Sequence, residues 1–172
     1  KQFGNARMDG FTCCNGTAIE SSTKLQDSIY FRSADGQSLY VNLFVPSKLT
    51  WAERDVTVTQ HTDFPYADTT KLTVDKGGTF KLNVRAPHWA TQGFTVKLNG
   101  RNQKVKAAPG SYLTLGRSWK AGDVIELQMP FSFRLSPVTD QPNLASLFYG
   151  PVLLAAQEPG TRANWRPITL GA

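Results

Sequence analysis

The two cysteines of the chain are adjacent, in the stretch GFTCCNGTAIESSTK that covers residues 10–24. Adjacent cysteines rarely bond to each other, because the Cα atoms of a disulfide-linked pair usually lie farther apart than neighbouring residues allow. Cys13 and Cys14 are therefore candidates for free thiols, metal ligands, a nucleophile or ordinary buried side chains.

A helix is predicted to begin just after this pair. The Asn-Gly at residues 15–16 is typical of a turn, and Thr17 followed by Glu20 fits a capping box that opens a helix from about Ala18 to Asp27. The cysteines would then lie at the positive end of the helix dipole, which favours thiolate over thiol. Thiolate is the form that binds zinc and attacks carbon, so a ligand or a nucleophile suits this position. Structural burial is the alternative, since cysteine is among the most buried residue types.

A complete zinc site would need more donors than the cysteine pair supplies. Structural zinc takes four ligands, and the only two histidines, His61 and His88, are the remaining candidates of the usual kind. Both lie in the strand-rich part of the chain, and their spacing does not mark them as ligands. Glu20 could serve as an acid, but its place in the capping box favours a structural role.

From Ser28 onward the sequence is typical of β-strands. Short segments rich in β-branched and aromatic residues follow one another, with turn signals at residues 34–37, 77–78 and 99–100 that predict three hairpins. After a polar loop, TDQPN, the apolar run ASLFYGPVLLAAQ predicts a strand buried in the middle of the sandwich. We predict an all-β fold, a two-sheet antiparallel, jelly-roll-like sandwich preceded by one short helix. The strand segments are SIYFRS, SLYVNLFVP, VTVTQHT, KLTVD, TFKLNVRAP, FTVKLNG, QKVKAA, SYLTLGR, DVIELQMPF and FRLSPV.

Composition excludes several classes of protein. The chain has 172 residues, 40% hydrophobic and 19% charged, which indicates a globular domain. The net charge of +6 is spread along the chain without a recognition helix or a base-stacking motif, so we predict no nucleic-acid partner. No apolar run reaches the roughly 18 residues of a membrane helix, and no signal peptide opens the chain. The start at Lys1 and the strand-like ending WRPITLGA predict a piece of a longer protein.

Tryptophan allows two interpretations. Flat indole rings stack on sugars, but rings near strand ends more often pack in or around the core. We predict core or rim packing for all four tryptophans: Trp51, Trp89, Trp119 and Trp165.

Several segments resemble the C-terminal part of the cysteine-dependent β-L-arabinofuranosidases, glycoside hydrolase families 127 and 146 and their relatives. The resemblance runs from about Phe11 to about Ala156. Its most specific part is the cysteine pair followed by Gly, Glu and Lys and leading into DSIYF. The segments are FTCCNGTAIESSTKLQDSIYF, LYVNLFVPSKLTW, TDFPYADTTKLTV, RAPHWA, VKLNG and LFYGPVLLA.

The resemblance implies a retaining hydrolysis of β-L-arabinofuranosides by a cysteine nucleophile. It assigns the nucleophile to Cys13 and zinc ligation to Cys14, with the sulfur of Cys13 also contacting the metal. Another cysteine, a glutamate ligand and a glutamate acid/base would come from an upstream (α/α)6 barrel. Residues 1–27 would be the end of that barrel, with its last helix, and residues 28–172 the sandwich domain.

The resemblance also implies partners and a compartment. The longer protein would be bacterial, would act on an arabinose-containing plant glycan, and would be periplasmic or secreted rather than cytoplasmic. We expect the sandwich to pack on the barrel as a mainly structural domain, with no membrane partner. The 172-residue chain alone would neither hold zinc tightly nor hydrolyse glycosides. A non-catalytic carbohydrate-binding sandwich is the alternative.

Overall fold

A computed structural model of the chain describes residues 13–155, without the side chains of residues 13–15, 22, 25 and 142. One helix, α1, spans Cys13–Asp27 and is followed by β-strands connected by turns and one short 3-10 helix at Ala52–Arg54. The strands are β1 Tyr30–Arg32, β2 Ser38–Val41, β3 Ser47–Trp51, β4 Val56–Thr62, β5 Thr69–Lys76, β6 Gly78–Ala86, β7 Thr95–Leu98, β8 Arg101–Asn102, β9 Ser111–Trp119, β10 Val124–Gln128, β11 Phe133–Val138, β12 Gln141–Tyr149 and β13 Val152–Leu153.

Two sheets form the sandwich that the sequence predicts. One has the order β1-β2-β6-β9 and the other β3-β4-β5-β10-β7-β8. Neighbouring strands are antiparallel except β2 and β6, which are parallel. In β4, alternate residues from Val56 to Gln60 are buried, as the alternating pattern of VTVTQHT predicts. The all-β sandwich with one short helix is confirmed.

The core lies between the inner faces of these two sheets. Its largest fully buried side chains include Leu72, Leu82 and Ile125, which come from both sheets. Apolar burial on this scale is the main stabilising contribution to the fold. The other members from the strands are Leu39, Val41, Trp51, Val56, Val58, Val74, Phe80, Val84, Val96, Leu98, Leu113, Leu115, Trp119 and Leu127.

The three tryptophans within the described residues pack in the core. Trp51 and Trp119 lie on either side of Phe80, with each ring centroid 5.9 Å from the Phe80 centroid. Trp89 stacks on Phe64 at 6.0 Å. Core packing is therefore confirmed for these three, and none of them offers a free face to a sugar. Trp165 lies outside the described residues.

The third sheet, β11-β12-β13, corrects one prediction. The run ASLFYGPVLLAAQ does not form a single strand in the middle of the sandwich, because Gly150 and Pro151 turn the chain between β12 and β13. Apolar side chains on these strands are exposed, with Leu144 at 49% and Leu153 at 58%. The expected polar loop TDQPN is shorter too, since Gln141 already begins β12.

Two of the predicted hairpins are present and one is not. β1 pairs with β2, and β7 pairs with β8 across Asn99 and Gly100, whose positive φ angles of 49° and 76° suit a tight turn. The second strand of the latter hairpin is Arg101–Asn102, however, and the predicted strand QKVKAA at residues 103–108 is wrong. The hairpin predicted at residues 77–78 is wrong, because β5 and β6 belong to different sheets. Gly77 is the single residue between them, and a Cβ there would overlap the backbone carbonyl of Trp119. The glycine therefore serves a close backbone approach rather than a hairpin turn.

Helix α1 begins earlier than predicted. The Asn-Gly at residues 15–16 is helical rather than a turn, and Thr17 lies inside the helix, where its carbonyl accepts a hydrogen bond from Ser21 Oγ at 2.7 Å. The capping-box prediction is thus wrong, since local turn preferences are weak compared with helix propagation. The predicted end at Asp27 is confirmed. Across residues 13–155, no helix combines the length and the apolar content that a membrane span requires.

Candidate functional site

The cysteine pair occupies the first turn of α1. Cys13 and Cys14 are the first two helical residues, and the first turn contains no acidic residue to oppose the positive end of the helix dipole. The described part of helix α1 therefore includes the cysteines, whereas the sequence predicts a helix that starts after them. The two side chains lie outside the described residues, so their roles stay a prediction.

Glu20 is engaged elsewhere on the same helix. Its Oε1 lies 2.6 Å from Lys24 Nζ, and both side chains are more than half exposed. This is an i,i+4 pair on a solvated face, which contributes little to stability. The predicted capping role of Glu20 is wrong, and its surroundings give it no feature of a catalytic acid.

The two histidines are exposed and lie on different elements. His61 is on β4, and His88 is in the connection between β6 and β7. Among the side chains that the structure describes, which exclude those of Cys13 and Cys14, no three His, Asp or Glu side chains come close enough together to hold a metal ion. The described residues therefore supply no zinc site beyond the two cysteines.

A polar groove lies on the outer face of the six-stranded sheet, and no motif in the sequence indicates it. Strand register aligns His61 with Lys71, Lys71 with Glu126, and Glu126 with Lys97. All four residues are exposed and line the groove. They form one row across β4, β5, β10 and β7, in which a carboxylate lies between two ammonium groups.

A second row extends the groove toward one end of the sheet. Gln128 on β10 is aligned with Thr69 on one side and Thr95 on the other. Asp63 and Pro46, from loops beside β4 and β3, complete this end, and the groove has a volume of about 590 Å³. We call the surface formed by the two rows and these loop residues the outer groove.

Hydrogen bonds at the strand ends fix the position of the outer groove. Asp123, just before β10, accepts hydrogen bonds from the backbone N–H of Lys120 at 2.9 Å and from Asn99 Nδ2 at 2.8 Å. These two bonds hold the pKa of Asp123 below its ordinary value, the Lys120 bond more than the Asn99 bond. Asn99 Oδ1 also accepts from the N–H of Val124 at 2.7 Å. The network ties the end of β7 to the start of β10, so Lys97 and Glu126 keep their alignment.

The loop after β4 is anchored as well. Thr62 Oγ1 lies 2.9 Å from Thr70 Oγ1 and accepts from the N–H of Phe64 at 3.1 Å. The Phe64 ring packs on Phe44 at 5.6 Å and on Phe131 at 6.2 Å. The wall of the outer groove that carries Asp63 is therefore attached to the core.

The family of the chain follows from a match over the sandwich. The model of the β-L-arabinofuranosidase GH127 middle domain matches residues 38–131, which is 94 of 172 residues. The chain belongs to glycoside hydrolase family 127. The matched segment runs from the first residue of β2 to three residues beyond β10. It includes the outer groove strands but neither cysteine of this GH127 chain.

Solved structures agree with the family. A glycoside hydrolase shares 26% identity over 82% of this chain, with a TM-score of 0.71. A GH127 β-L-arabinofuranosidase from Geobacillus stearothermophilus T6 shares 25% identity over 84% of the chain, also with a TM-score of 0.71. A GH127 β-arabinofuranosidase at 21% identity over 84% of the chain, with a TM-score of 0.70, supports the fold alone.

This GH127 chain is much shorter than the solved structures that it resembles. It covers 24%, 24% and 26% of their lengths. A comparison with curated proteins found no match. The comparisons therefore establish the family and the fold.

Proposed function

We propose that this GH127 chain, whose sandwich matches the family's middle domain rather than the C-terminal part that the sequence predicts, is a piece of a retaining hydrolase of β-L-arabinofuranosides, with Cys13 as its nucleophile. The observation that carries the proposal is the cysteine pair in the first turn of α1 of a GH127 chain. The positive helix end favours a thiolate there. A solved relative that shares the fold is a GH127 β-L-arabinofuranosidase, which supports the substrate class.

In this proposal the reaction has two steps on the Cys13 sulfur. The thiolate forms a bond to the anomeric carbon as the bond to the leaving oxygen breaks, and an acid outside the described residues protonates that oxygen. Water then gives a proton to the conjugate base of that acid and attacks the anomeric carbon, the carbon–sulfur bond breaks, and the thiolate is restored with net retention. This follows the double-displacement scheme of retaining glycosidases, with sulfur in place of one carboxylate.

Zinc is the proposed cofactor, and the described residues fit it only in part. Cys13 and Cys14 would supply two thiolate donors, and the absence of an acidic residue in the first turn suits thiolate. The remaining donors would come from the upstream barrel, and the described side chains include no group of three possible ligands of their own. Zinc would stabilise the thiolate form of its sulfur ligands.

The sandwich has a mainly structural role in this proposal. It would pack against an upstream (α/α)6 barrel that supplies the acid/base glutamate and the other zinc ligands, so the 172-residue chain alone would be inactive. The division into residues 1–27 and 28–172 is part of the same proposal. The longer protein would be a periplasmic or secreted bacterial enzyme whose partner is an arabinose-containing glycan.

Covalent trapping tests the nucleophile. The longer protein is mixed with an aryl β-L-arabinofuranoside, quenched rapidly and digested, and the glycosylated peptide is found by mass spectrometry. We expect the sugar on Cys13, loss of turnover in Cys13→Ser, and unchanged turnover in the helix control Ser21→Ala. A sugar on a carboxylate, or an active Cys13→Ser variant, would overturn the assignment.

A panel of aryl glycosides tests the substrate. We expect the longer protein to cleave the β-L-arabinofuranoside and the 172-residue chain to cleave none. Cleavage of a pyranoside instead would show that the proposed sugar is wrong, and the family assignment would be unaffected.

A further inference from the structure

We propose that the outer groove binds a neutral saccharide chain without cleaving it. This function goes beyond the hydrolase activity and does not rest on the cysteine chemistry, because the groove residues come from β4, β5, β7 and β10. The groove volume of about 590 Å³ falls within the range of roughly 300–1,000 Å³ that is usual for small-ligand sites.

The charges of the outer groove select against strongly charged ligands. Glu126 is aligned with Lys71 on one side and Lys97 on the other, and Asp63 adds a second carboxylate at one end. Glu126 and Asp63 would repel a polyanion, and the two lysines would repel a polycation. The balanced lining therefore favours a ligand that is polar but uncharged.

The hydrogen-bonding groups of the groove match sugar hydroxyls. An ammonium group only donates, a carboxylate only accepts, and amide and hydroxyl side chains do both. A sugar hydroxyl also donates and accepts, so it can bond in turn to Lys97, Glu126 and Gln128 along adjacent strands. A lining of alternating donors and acceptors thus suits a chain of hydroxyl-bearing rings.

The polar side chains of the groove make few ion pairs or hydrogen bonds within the protein. In the described part of the chain, the ion pairs involve Glu20, Arg32 and Lys76 with their partners and none of the groove lysines. Gln128 makes one long hydrogen bond, 3.4 Å from its Nε2 to Asp68 Oδ2. The binding capacity of Lys71, Lys97 and Glu126 is therefore directed to solvent or to a ligand.

The groove is also preorganised. Its lining residues lie mainly on paired strands, and the Asp123–Asn99 bond fixes β7 against β10. Binding would order few additional residues, which lowers its entropic cost. Since the described tryptophans are buried, affinity would come from hydrogen bonds rather than from stacking on indole rings.

The test is an NMR titration of the isotopically labelled 172-residue chain. The probes are arabinotetraose, cellotetraose and, as an anionic oligosaccharide, tetragalacturonate. We expect a neutral probe to shift the amides of β5, β7 and β10. The Kd for that probe should rise about tenfold in Lys97→Ala, as expected for loss of one hydrogen bond to a charged group.

Lys81→Ala is the matched control. Lys81 is an exposed lysine on β6, in the other sheet and outside the groove lining, so its removal changes net charge equally. We expect this variant to bind the neutral probe as the unmodified chain does. A well-dispersed spectrum for each variant establishes that it is folded.

Four outcomes with the 172-residue chain would overturn the proposal, and a fifth with the longer protein would also do so. They are the absence of shifts with either neutral probe, shifts that cluster away from the groove, tighter binding of tetragalacturonate than of both neutral probes, and equal effects of the two lysine changes. Loss of the saccharide shifts in the longer protein, with the same amides protected by another domain, would assign the face to a protein interface. None of these results bears on the covalent trapping at Cys13, so the two proposals fail separately.

Discussion

The sandwich and the third sheet are built from similar residues but bury them very differently. Leu72 on β5 is completely buried, whereas Leu135 on β11 is 52% exposed. The two-sheet sandwich covers the inner face of each sheet with the other, and the β11-β12-β13 sheet keeps large apolar side chains exposed in the described part of the chain. Apolar composition thus gives a stable core only where the topology provides a second layer.

The largest contrast should come from shortening a leucine in each region. Leu72→Ala removes a fully buried side chain from the middle of the six-stranded sheet and should lower the free energy of unfolding by about 2–5 kcal/mol. Leu135→Ala, in the third sheet, should change it by less than about 0.5 kcal/mol. Urea unfolding of both variants measures the difference, and equal losses would show that the third sheet is buried in solution.

The next largest effect is expected at the crossing between the sheets. Gly77→Ala places a methyl group on the carbonyl of Trp119, and we expect a loss of about 2–3 kcal/mol from overpacking. Gly116→Ala on β9 is the control, since its Cβ would lie 3.6 Å from Lys81 Cγ, an ordinary contact. A Gly77→Ala variant with the same urea midpoint as the control would contradict the close approach.

A smaller effect is expected at the carboxylate that fixes β7 against β10. Asp123→Asn replaces one carboxylate oxygen with an NH₂ group, which cannot accept a hydrogen bond. One of the two donors, Asn99 Nδ2 or the Lys120 N–H, then loses its acceptor, and the free energy of unfolding should fall by about 1–2 kcal/mol. Asp140→Asn is the matched change in the exposed β11–β12 turn, and we expect it to fall within about 0.5 kcal/mol of the unmodified chain. Thermal unfolding at neutral pH compares the two, and equal melting temperatures would refute the role of Asp123.

The smallest effect is expected in the pH dependence of the stability that Asp123 contributes. The folded-state pKa of Asp123 is lowered, so its contribution is present above the ordinary aspartate pKa and is lost as pH falls through the folded pKa. The difference in unfolding free energy between the unmodified chain and Asp123→Asn should shrink from about pH 5 to about pH 2. The same measurement on Asp140→Asn is the control, and a decline of equal size there would assign the effect to general acid destabilisation.

Many strand positions were predictable because they depend on local patterns, although β3 was missed and QKVKAA is not a strand. VTVTQHT and FRLSPV correspond to β4 and β11 without adjustment. Sheet membership depends on distant pairings, so the sequence did not reveal that Gly77 separates two sheets rather than closing a hairpin. The apolar run at residues 145–157 also did not indicate that the side chains of its strands would be partly exposed, because burial depends on which element covers them.

The two candidate sites differ in the same way. The cysteine pair is contiguous, and its motif was recognisable although the helix start was misplaced. Lys71, Lys97 and Glu126 are far apart in sequence, and only the placement of β10 between β5 and β7 brings them into one row. The alternation of polar and apolar residues in these strands could have indicated that each of these side chains faces outward. It could not have indicated that the three side chains are neighbours.

The one-residue crossing at Gly77 makes the registers of the two sheets interdependent. A shift of β5 by one residue would turn its buried face outward. Because Gly77 is the single residue between the two strands, β6 would have to shift as well. An error in one sheet would therefore be carried into the other, where Phe80 and Leu82 would also leave the core. The short connection thus acts against misregistered folds, and an insertion there should be tolerated far less than one in the longer segment between β8 and β9.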